Sequence, residues 1–199
     1  MEAAGFGVTL RYERLSGDGL ARSLADLAQL RVAVFRDWPY LYDGDDDYER
    51  RYLADFAASP GAVIVGAFEG ERMVGAATAS PLADHHDDFA DAFRAAGLDV
   101  EPWFYLAESV LLADHRGQGA GHAFFDRREA AAREQGFDRA CFCAVTRDGP
   151  APEGYRALDE FWWGRGYRPL DGITASFAWR EVGHDDETDH EMQFWGKAI

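Results

Sequence analysis

The stretch HRGQGAGHAFFDRREAAAREQG, residues 115–136, places three glycines within five positions and continues into a helix-forming segment. An apolar run of strand length, residues 103–112, precedes it. Glycine lets the backbone approach a ligand closely, and the first N–H groups of a helix have no acceptor within the helix. The helix dipole adds partial positive charge at the same end, so strand, glycine turn and helix together predict a phosphate-binding site.

Neither of two common nucleotide loops explains this turn. The pattern G-x-x-x-x-G-K-[ST] needs a lysine, and the stretch contains none. The pattern G-x-G-x-x-G begins at Gly117 and Gly119 but has His122 in place of its third glycine. The turn is therefore either a phosphate site of another pattern or a plain glycine-rich helix start.

Composition restricts the classes of protein and of partner. A chain of 199 residues, 47% of them hydrophobic, predicts one domain over residues 1–199. A net charge of −16 disfavours nucleic acids and anionic membrane surfaces. Two cysteines, Cys141 and Cys143, and no apolar leader or 18-residue apolar run favour a cytoplasmic protein.

The hydrophobic periodicity predicts alternating strands and helices. Strands are expected at residues 8–14, 62–68, 72–80, 103–112, 139–146, 173–181 and 192–198, and helices at 20–35, 47–58, 85–96, 121–135 and 152–165. An acidic loop is expected at residues 183–191. This order predicts a mixed α/β (α+β) fold with a central twisted mixed sheet of about 6–7 strands flanked by helices.

The turn and a second segment resemble one known family. Arg116-x-x-Gly119-x-Gly121, after a strand, resembles the acetyl-CoA-binding signature of the GNAT superfamily of N-acetyltransferases. The aromatic stretch FWWGRGY, residues 161–167, is similar to the end of the helix that follows in that family. The resemblance is specific over residues 103–168, loose over 62–80 and only topological elsewhere.

The resemblance implies acetyl-CoA as co-substrate and no metal. The cofactor-binding residues that it implies are Val110, Leu111, Leu112, Arg116, Gly117, Gln118, Gly119, Ala120, Gly121 and His122. The amides of the turn and the charge of Arg116 would hold the pyrophosphate, and the strand backbone would hold the pantetheine arm. Arg127, Arg128 and Arg133 either assist there or lie on a solvated helix face.

The implied reaction is acyl transfer from a thioester to an amine, with Glu108 and Ser109 as candidate catalytic residues. An amine with a pKa of about 10.4 must lose a proton before it attacks, and Glu108 is the candidate base. The alternative is a structural glutamate that is exposed at a sheet edge or salt-bridged. Ser109 points to the opposite face from Glu108 in a regular strand. Trp162 occupies the place of the family's general-acid tyrosine, and Tyr155, predicted two helical turns away, does not replace it.

The aromatic stretch between the first two helices is the candidate acceptor wall. Trp38, Tyr40 and Tyr42 are the predicted substrate-binding residues, and an aromatic core plug is the alternative. The acidic residues 43–47 are interpreted as an exposed turn that caps a helix rather than a calcium loop. The histidine-containing stretches 85–88 and 184–190 are likewise interpreted as loops and caps rather than metal ligands.

These observations predict a cytoplasmic N-acyltransferase that uses acetyl-CoA. Its partner is expected to be a small-molecule or peptide amine, without nucleic acid or membrane, and the sequence is compatible with a homodimer. One alternative is a sensor that binds acyl-CoA without catalysis, which Trp162 favours. A different CoA- or nucleotide-phosphate binder is the third interpretation.

Overall fold

Within the residues that the structure describes, 9–85 and 87–199 of a computed structural model, eight strands form one mixed sheet. They are β1 (Arg11–Leu15), β2 (Val63–Glu69), β3 (Arg72–Pro81), β4 (Trp103–Tyr105), β5 (Ser109–Leu111), β6 (Arg139–Val145), β7 (Arg168–Arg180) and β8 (Glu187–Ala198). The order is β1-β2-β3-β4-β6-β8-β7, with β5 paired to β3. Only β4 and β6 of these pairs are parallel. The predicted mixed sheet is confirmed, although the predicted start of the first strand, Val8, lies outside the described residues.

Helices cover both faces of this sheet. In the described part of the chain they are α1 (Gly17–Phe35), α2 (Asp46–Ala58), α3 (Asp87–Ala95), α4 (Ala120–Glu134) and α5 (Asp159–Gly164). Leu27 of α1 and Leu53 of α2 share a buried cluster with Ile64 of β2. Phe124 of α4 packs in a second cluster with the next residue of that strand, Val65. Because strand side chains alternate between faces, β2 is buried on both sides, with α1 and α2 opposite α4.

The predicted strand 103–112 is divided by a bulge. Ser80 of β3 pairs with Tyr105, but Ala77, three residues earlier, pairs with Ser109, four residues later. One extra residue is therefore inserted on the second strand. Beyond the Tyr105–Cys141 pair, β5 stays beside β3 while β6 continues beside β8. The two strands diverge and leave an opening in the middle of the sheet.

The C-terminal third differs from the prediction in two places. The helix expected at 152–165 begins only at Asp159, because residues 152–155 form a turn in which the Tyr155 N–H donates to the Pro152 carbonyl and Gly154 has φ 81°. The acidic segment expected as a loop at 183–191 is a strand from Glu187 onward. Alternation explains this, since His190 is buried between exposed acidic neighbours.

A buried carboxylate ties α4 to the last strand. Glu129 Oε1 accepts hydrogen bonds from Tyr167 Oη at 3.0 Å and Arg165 Nη2 at 3.1 Å, and it lies 2.9 Å from Lys197 Nζ. Lys197, the chain's only lysine, also donates to the Arg165 carbonyl at 3.1 Å. These contacts fix α5 and β8 against α4. Within the described residues, no helix has the length and apolar character that a membrane crossing requires.

Candidate functional site

Two glycines shape the turn before α4. Gly117 has φ 76° and Gly119, the N-cap of α4, has φ 86°, both in the left-handed region that favours glycine. In the described chain, no acceptor contacts the backbone N–H groups of residues 117–122. Six neighbouring amides thus remain available at the positive end of a helix of 15 residues. The turn has the glycine conformations that the sequence predicted, and anion binding at these amides stays a prediction.

Side chains add charge around these amides. Arg116 is half-exposed, donates to the Leu111 carbonyl at 3.2 Å and lies 3.7 Å from an Asp37 carboxylate oxygen. His122 lies 3.2 Å from Arg165 through Nδ1. Gln118 instead turns back onto the Asp114 carbonyl. Arg116 therefore brings a cationic group to the turn, whereas Arg165 is paired with Asp126 and Glu129 and neither its side chain nor that of Gln118 lines the cleft.

A cleft of about 2210 Å³ joins this turn to the opening between β5 and β6. Its lining includes Gly119, Gly121, Ser109 and Leu111. The side chains of the other two predicted strand residues, Val110 and Leu112, do not line the cleft. Val110 is buried against α1 and α2, and the Leu112 N–H donates to the Val74 carbonyl of β3. Strand β5 pairs with β3 along one edge, so the backbone N–H and carbonyl groups of its other edge are available to polar groups of a ligand.

Glu108 lies at the bulge, where it forms an ion pair with a residue that the sequence did not single out. Its Oε1 atom is 2.6 Å from Arg31 Nη1, and the side chain is only 8% exposed. Arg31 Nε also bonds to Glu49, which is 1% exposed. Two carboxylates thus share one guanidinium, so this end of the cleft carries one negative charge in excess. Glu108 is thus salt-bridged, as the structural alternative expected. Its role as a base stays a prediction.

Phenol groups surround this charged group. Burial raises the pKa of Tyr42 and Tyr52, and the neighbouring carboxylates Glu49 and Glu108 raise it further. Burial, together with nearby Cys143 and Glu108, also raises the pKa of Tyr40. These tyrosines remain neutral at physiological pH. They present ring faces and hydroxyl donors beside an acidic group, an arrangement that favours an organic cation.

The side chain of Ser109 lies on the other side of the sheet from that of Glu108. Ser109 Oγ accepts a hydrogen bond from Arg128 Nη2 at 2.8 Å, and Arg128 belongs to α4. Arg128 is 1% exposed, so the expectation that it lies on a solvated helix face is wrong. The signal was present: Phe124, Arg128 and Ala132 are spaced by four and lie on the buried stripe of α4.

Trp38, Tyr40 and Tyr42 all line the cleft and are partly buried, and together they form one wall of it. Tyr40 also packs against a buried cluster, and the substrate-binding role of the three residues stays a prediction. Arg147 fixes this segment by donating to the Pro39 carbonyl at 2.6 Å and to the Tyr40 carbonyl at 2.9 Å. The Trp179 indole donates to the same Tyr40 carbonyl at 3.0 Å. The segment after β6 and strand β7 thus hold the wall in place.

We expect Arg147→Met to loosen this wall. Amide hydrogen exchange of residues 40–43 should become faster, and the KM for the acceptor should rise about 10-fold while acetyl-CoA affinity stays unchanged. Arg51→Met, at an exposed arginine of α2, is the matched control. Equal exchange at residues 40–43 in both variants would show that Arg147 does not fix the wall.

Residue 162, where the resemblance implied a general-acid tyrosine, is a tryptophan and carries no hydroxyl. The Trp162 ring packs 5.0 Å from Phe142 and 5.1 Å from Trp195. Tyr155 lies in the turn before α5 and not on its helix, so the predicted helical relation to residue 162 is wrong. Its ring contacts Trp38 at 6.4 Å. No group at residue 162 can therefore protonate a leaving thiolate.

The remaining sequence clusters have structural roles. Asp45 is the N-cap of α2, its carboxylate accepting from the Tyr48 N–H at 2.8 Å, as predicted. His85 packs between Phe89 and Tyr105 in the cleft wall, and His86 lies outside the described residues. Among the described residues, no three potential ligands from His, Cys, Asp and Glu gather as a metal site would require.

A family model described as the acetyltransferase (GNAT) family matches residues 26–167. The match spans most of the chain and includes the glycine turn, the bulge and Trp162. The chain therefore belongs to the GNAT family of acetyltransferases. A search of curated sequences finds no match.

Solved structures share the fold at low sequence identity. A ribosomal-protein-alanine N-acetyltransferase from Brucella melitensis is 14% identical with a TM-score of 0.63, over 95% of this chain and 99% of that chain. The yncA protein of Salmonella typhimurium, solved with its cofactor acetyl-CoA, is 14% identical with a TM-score of 0.59, over 95% and 93%. The paia N-acetyltransferase from Thermoplasma acidophilum, in complex with coenzyme A, is 10% identical with a TM-score of 0.56, over 96% and 99%. These likenesses concern the fold.

Proposed function

We propose that this chain transfers the acetyl group of acetyl-CoA to the amine of a cationic substrate that also has an apolar part. The observation that carries the proposal is a single cleft that joins six unpaired amides at a helix start to an acidic, aromatic end. Each end suits one of the two reactants. Family membership supplies the acetyltransferase class, and the acceptor is inferred from the cleft.

The anionic reactant fits the end of the cleft at α4. The backbone N–H groups of residues 117–122 would bind the pyrophosphate oxygens, with Arg116 adding charge. In a chain of net charge −16, such local donors must outweigh the overall field. The free edge of β5 would bind the amide groups of the pantetheine arm. Acetyl-CoA supplies an activated thioester.

The cationic reactant fits the end of the cleft at α1 and α2. The excess charge of the Glu49 and Glu108 pair would attract an ammonium group, and the rings of Tyr40, Tyr42 and Trp38 would contact its cation and apolar part. Glu108, directly or through a water, would accept the ammonium proton. The neutral amine nitrogen could then attack the thioester carbonyl carbon.

A thiol-release assay with a panel of amines tests this proposal. We expect turnover with amines that combine a cation with an aromatic or alkyl group, and product mass spectra should show acetylation at nitrogen. Glu108→Gln should lower turnover about 100-fold while acetyl-CoA affinity stays unchanged, because a positioned base typically contributes that much. Unchanged turnover and an unchanged pH profile in this variant would show that Glu108 is not the base.

A second candidate function is an acyl-CoA sensor without catalysis, which the absence of a hydroxyl at Trp162 favours. The same assay separates the two functions. Acetyl-CoA binding without turnover of any amine in the panel would favour the sensor. Absence of binding would contradict both.

A further inference from the structure

Arg128 is a buried guanidinium without a described carboxylate partner. It donates to the carbonyls of Phe124, Thr78 and Glu108 at 3.3, 3.0 and 3.1 Å, and to Ser109 Oγ at 2.8 Å. Burial lowers its pKa to about 10, so it still carries its charge at neutral pH. The negative charges of Glu108 and Glu129 stabilise it from a distance, but a buried charge held by neutral hydrogen-bond acceptors is costly, and such groups concentrate at functional sites. The charge is directed at the bulge where β5 leaves β6.

Among these four acceptors, only the Ser109 hydroxyl can also donate a hydrogen bond. It can therefore extend the effect of the Arg128 charge to a ligand. A serine oxygen that accepts from a cation keeps its own hydrogen free to donate, and the cation polarises that O–H bond. Ser109 is exposed and lines the cleft. Its exposed hydroxyl therefore offers a charge-assisted donor to a ligand in the opening.

Trp162, the residue that leaves the site without a general acid, lies on the same face of the sheet as the Ser109 side chain, the face that α4 covers. Trp162 packs against the cluster that contains Phe124 and Phe125 of α4. Ser109 Oγ is bound to α4 through Arg128 on that face. Both Ser109 and Trp162 line the one cleft. The Ser109 hydroxyl of β5 thus offers a hydrogen-bond donor on the side of the cleft where residue 162 has none.

We propose that Ser109 is the catalytic group that stabilises the leaving thiolate and that Arg128 is the positioning residue that orients its hydroxyl. The inference rests on the proposed acetyl transfer. After Glu108 has accepted the ammonium proton, the neutral amine nitrogen forms a bond to the carbonyl carbon, the C–S bond breaks with its electron pair on sulfur, and the second amine proton passes to water. The Ser109 O–H donates a hydrogen bond to the thiolate without transferring its proton, and the thiolate later takes a proton from water.

The test measures the thiol pKa of bound CoA, which needs no acceptor. We expect the wild-type protein to lower this pKa from about 8.5 to about 7.5, a tenfold rise in thiolate formation, because a charge-assisted donor favours the anion. The readout is the ultraviolet absorbance of the thiolate, with desulfo-CoA as blank. The protein's own thiols do not interfere, since burial raises the pKa of Cys143 to about 12 and that of Cys141 well above its usual range.

Ser109→Ala should return the bound-thiol pKa to about 8.5 and lower kcat at least 10-fold, with unchanged CoA affinity. Ser109→Thr keeps the hydroxyl and should restore both values. Ser176→Ala, at another exposed cleft serine, is the matched control. Arg128 itself is a poor test because its removal leaves buried carbonyls without donors.

Two results would overturn the inference. An equal bound-thiol pKa in the wild type and in Ser109→Ala would exclude the donor role while leaving the proposed function intact. Absence of CoA binding to the wild type would remove both the inference and the proposed function, and a thermal shift with CoA identifies that case directly.

Discussion

Gly119→Trp should abolish detectable acetyl-CoA binding, with at least a 100-fold loss of affinity. Any side chain at φ 86° is strained by about 1–2 kcal/mol, and this strain falls on the N-cap that orients the free amides of α4. A Cβ at Gly119 meets no atom within 4 Å, so the indole would extend into the open space from which an anion approaches. Isothermal titration with acetyl-CoA measures the loss.

Gly136→Trp is the matched control for this experiment. Gly136 follows the other end of α4, has φ 88° and likewise has no atom within 4 Å of its Cβ position. The two variants should lose similar stability, but only Gly119→Trp should lose acetyl-CoA affinity. If both bound acetyl-CoA equally well, the anion would not bind at the amides of residues 117–122.

Arg31→Met should lower the free energy of unfolding by about 3–5 kcal/mol, the range found when one partner of a buried ion pair is removed. Burial lowers the pKa of the Arg31 guanidinium, but the negative charges of Glu108 and Glu49 outweigh this and raise it overall. Without the guanidinium, two buried carboxylates face each other. Urea unfolding measures the change.

A control and a rescue accompany this variant. Arg22→Met, at an exposed arginine on the same helix, should change stability by less than about 0.5 kcal/mol. Adding Glu49→Gln to Arg31→Met should recover part of the loss, because it removes one of the two unpaired charges. If Arg31→Met and Arg22→Met unfolded at the same urea concentration, the buried ion cluster would contribute little to stability.

Local backbone chemistry made the glycine turn predictable. Gly117 and Gly119 adopt conformations that depend on a few neighbouring residues, and the helix that follows begins within one residue of its expected start. Capping of α2 by Asp45 was predictable for the same reason. Features set by a few consecutive residues can be inferred from sequence alone.

Features set by distant partners were not predictable. The run 103–112 is mostly apolar and has no glycine or proline, and the bulge within it depends on which strands lie beside Tyr105 and Ser109. The pairing of Arg31 with Glu108 likewise joins α1 to the end of a strand far along the chain. Arg128 was misjudged by its charge, although its spacing on α4 marked the buried stripe. The turn at Pro152 and Gly154 delays the start of the last predicted helix to Asp159.

The ion-paired, half-buried position of Lys197 affects the protein's exposure to acetylation of its own side chains. Its ammonium group is 2.9 Å from Glu129, and its side chain is 16% exposed. A protonated, ion-paired amine is a poor nucleophile, and the chain has no second lysine. If the chain uses acetyl-CoA as proposed, it presents no free side-chain amine for accidental self-modification.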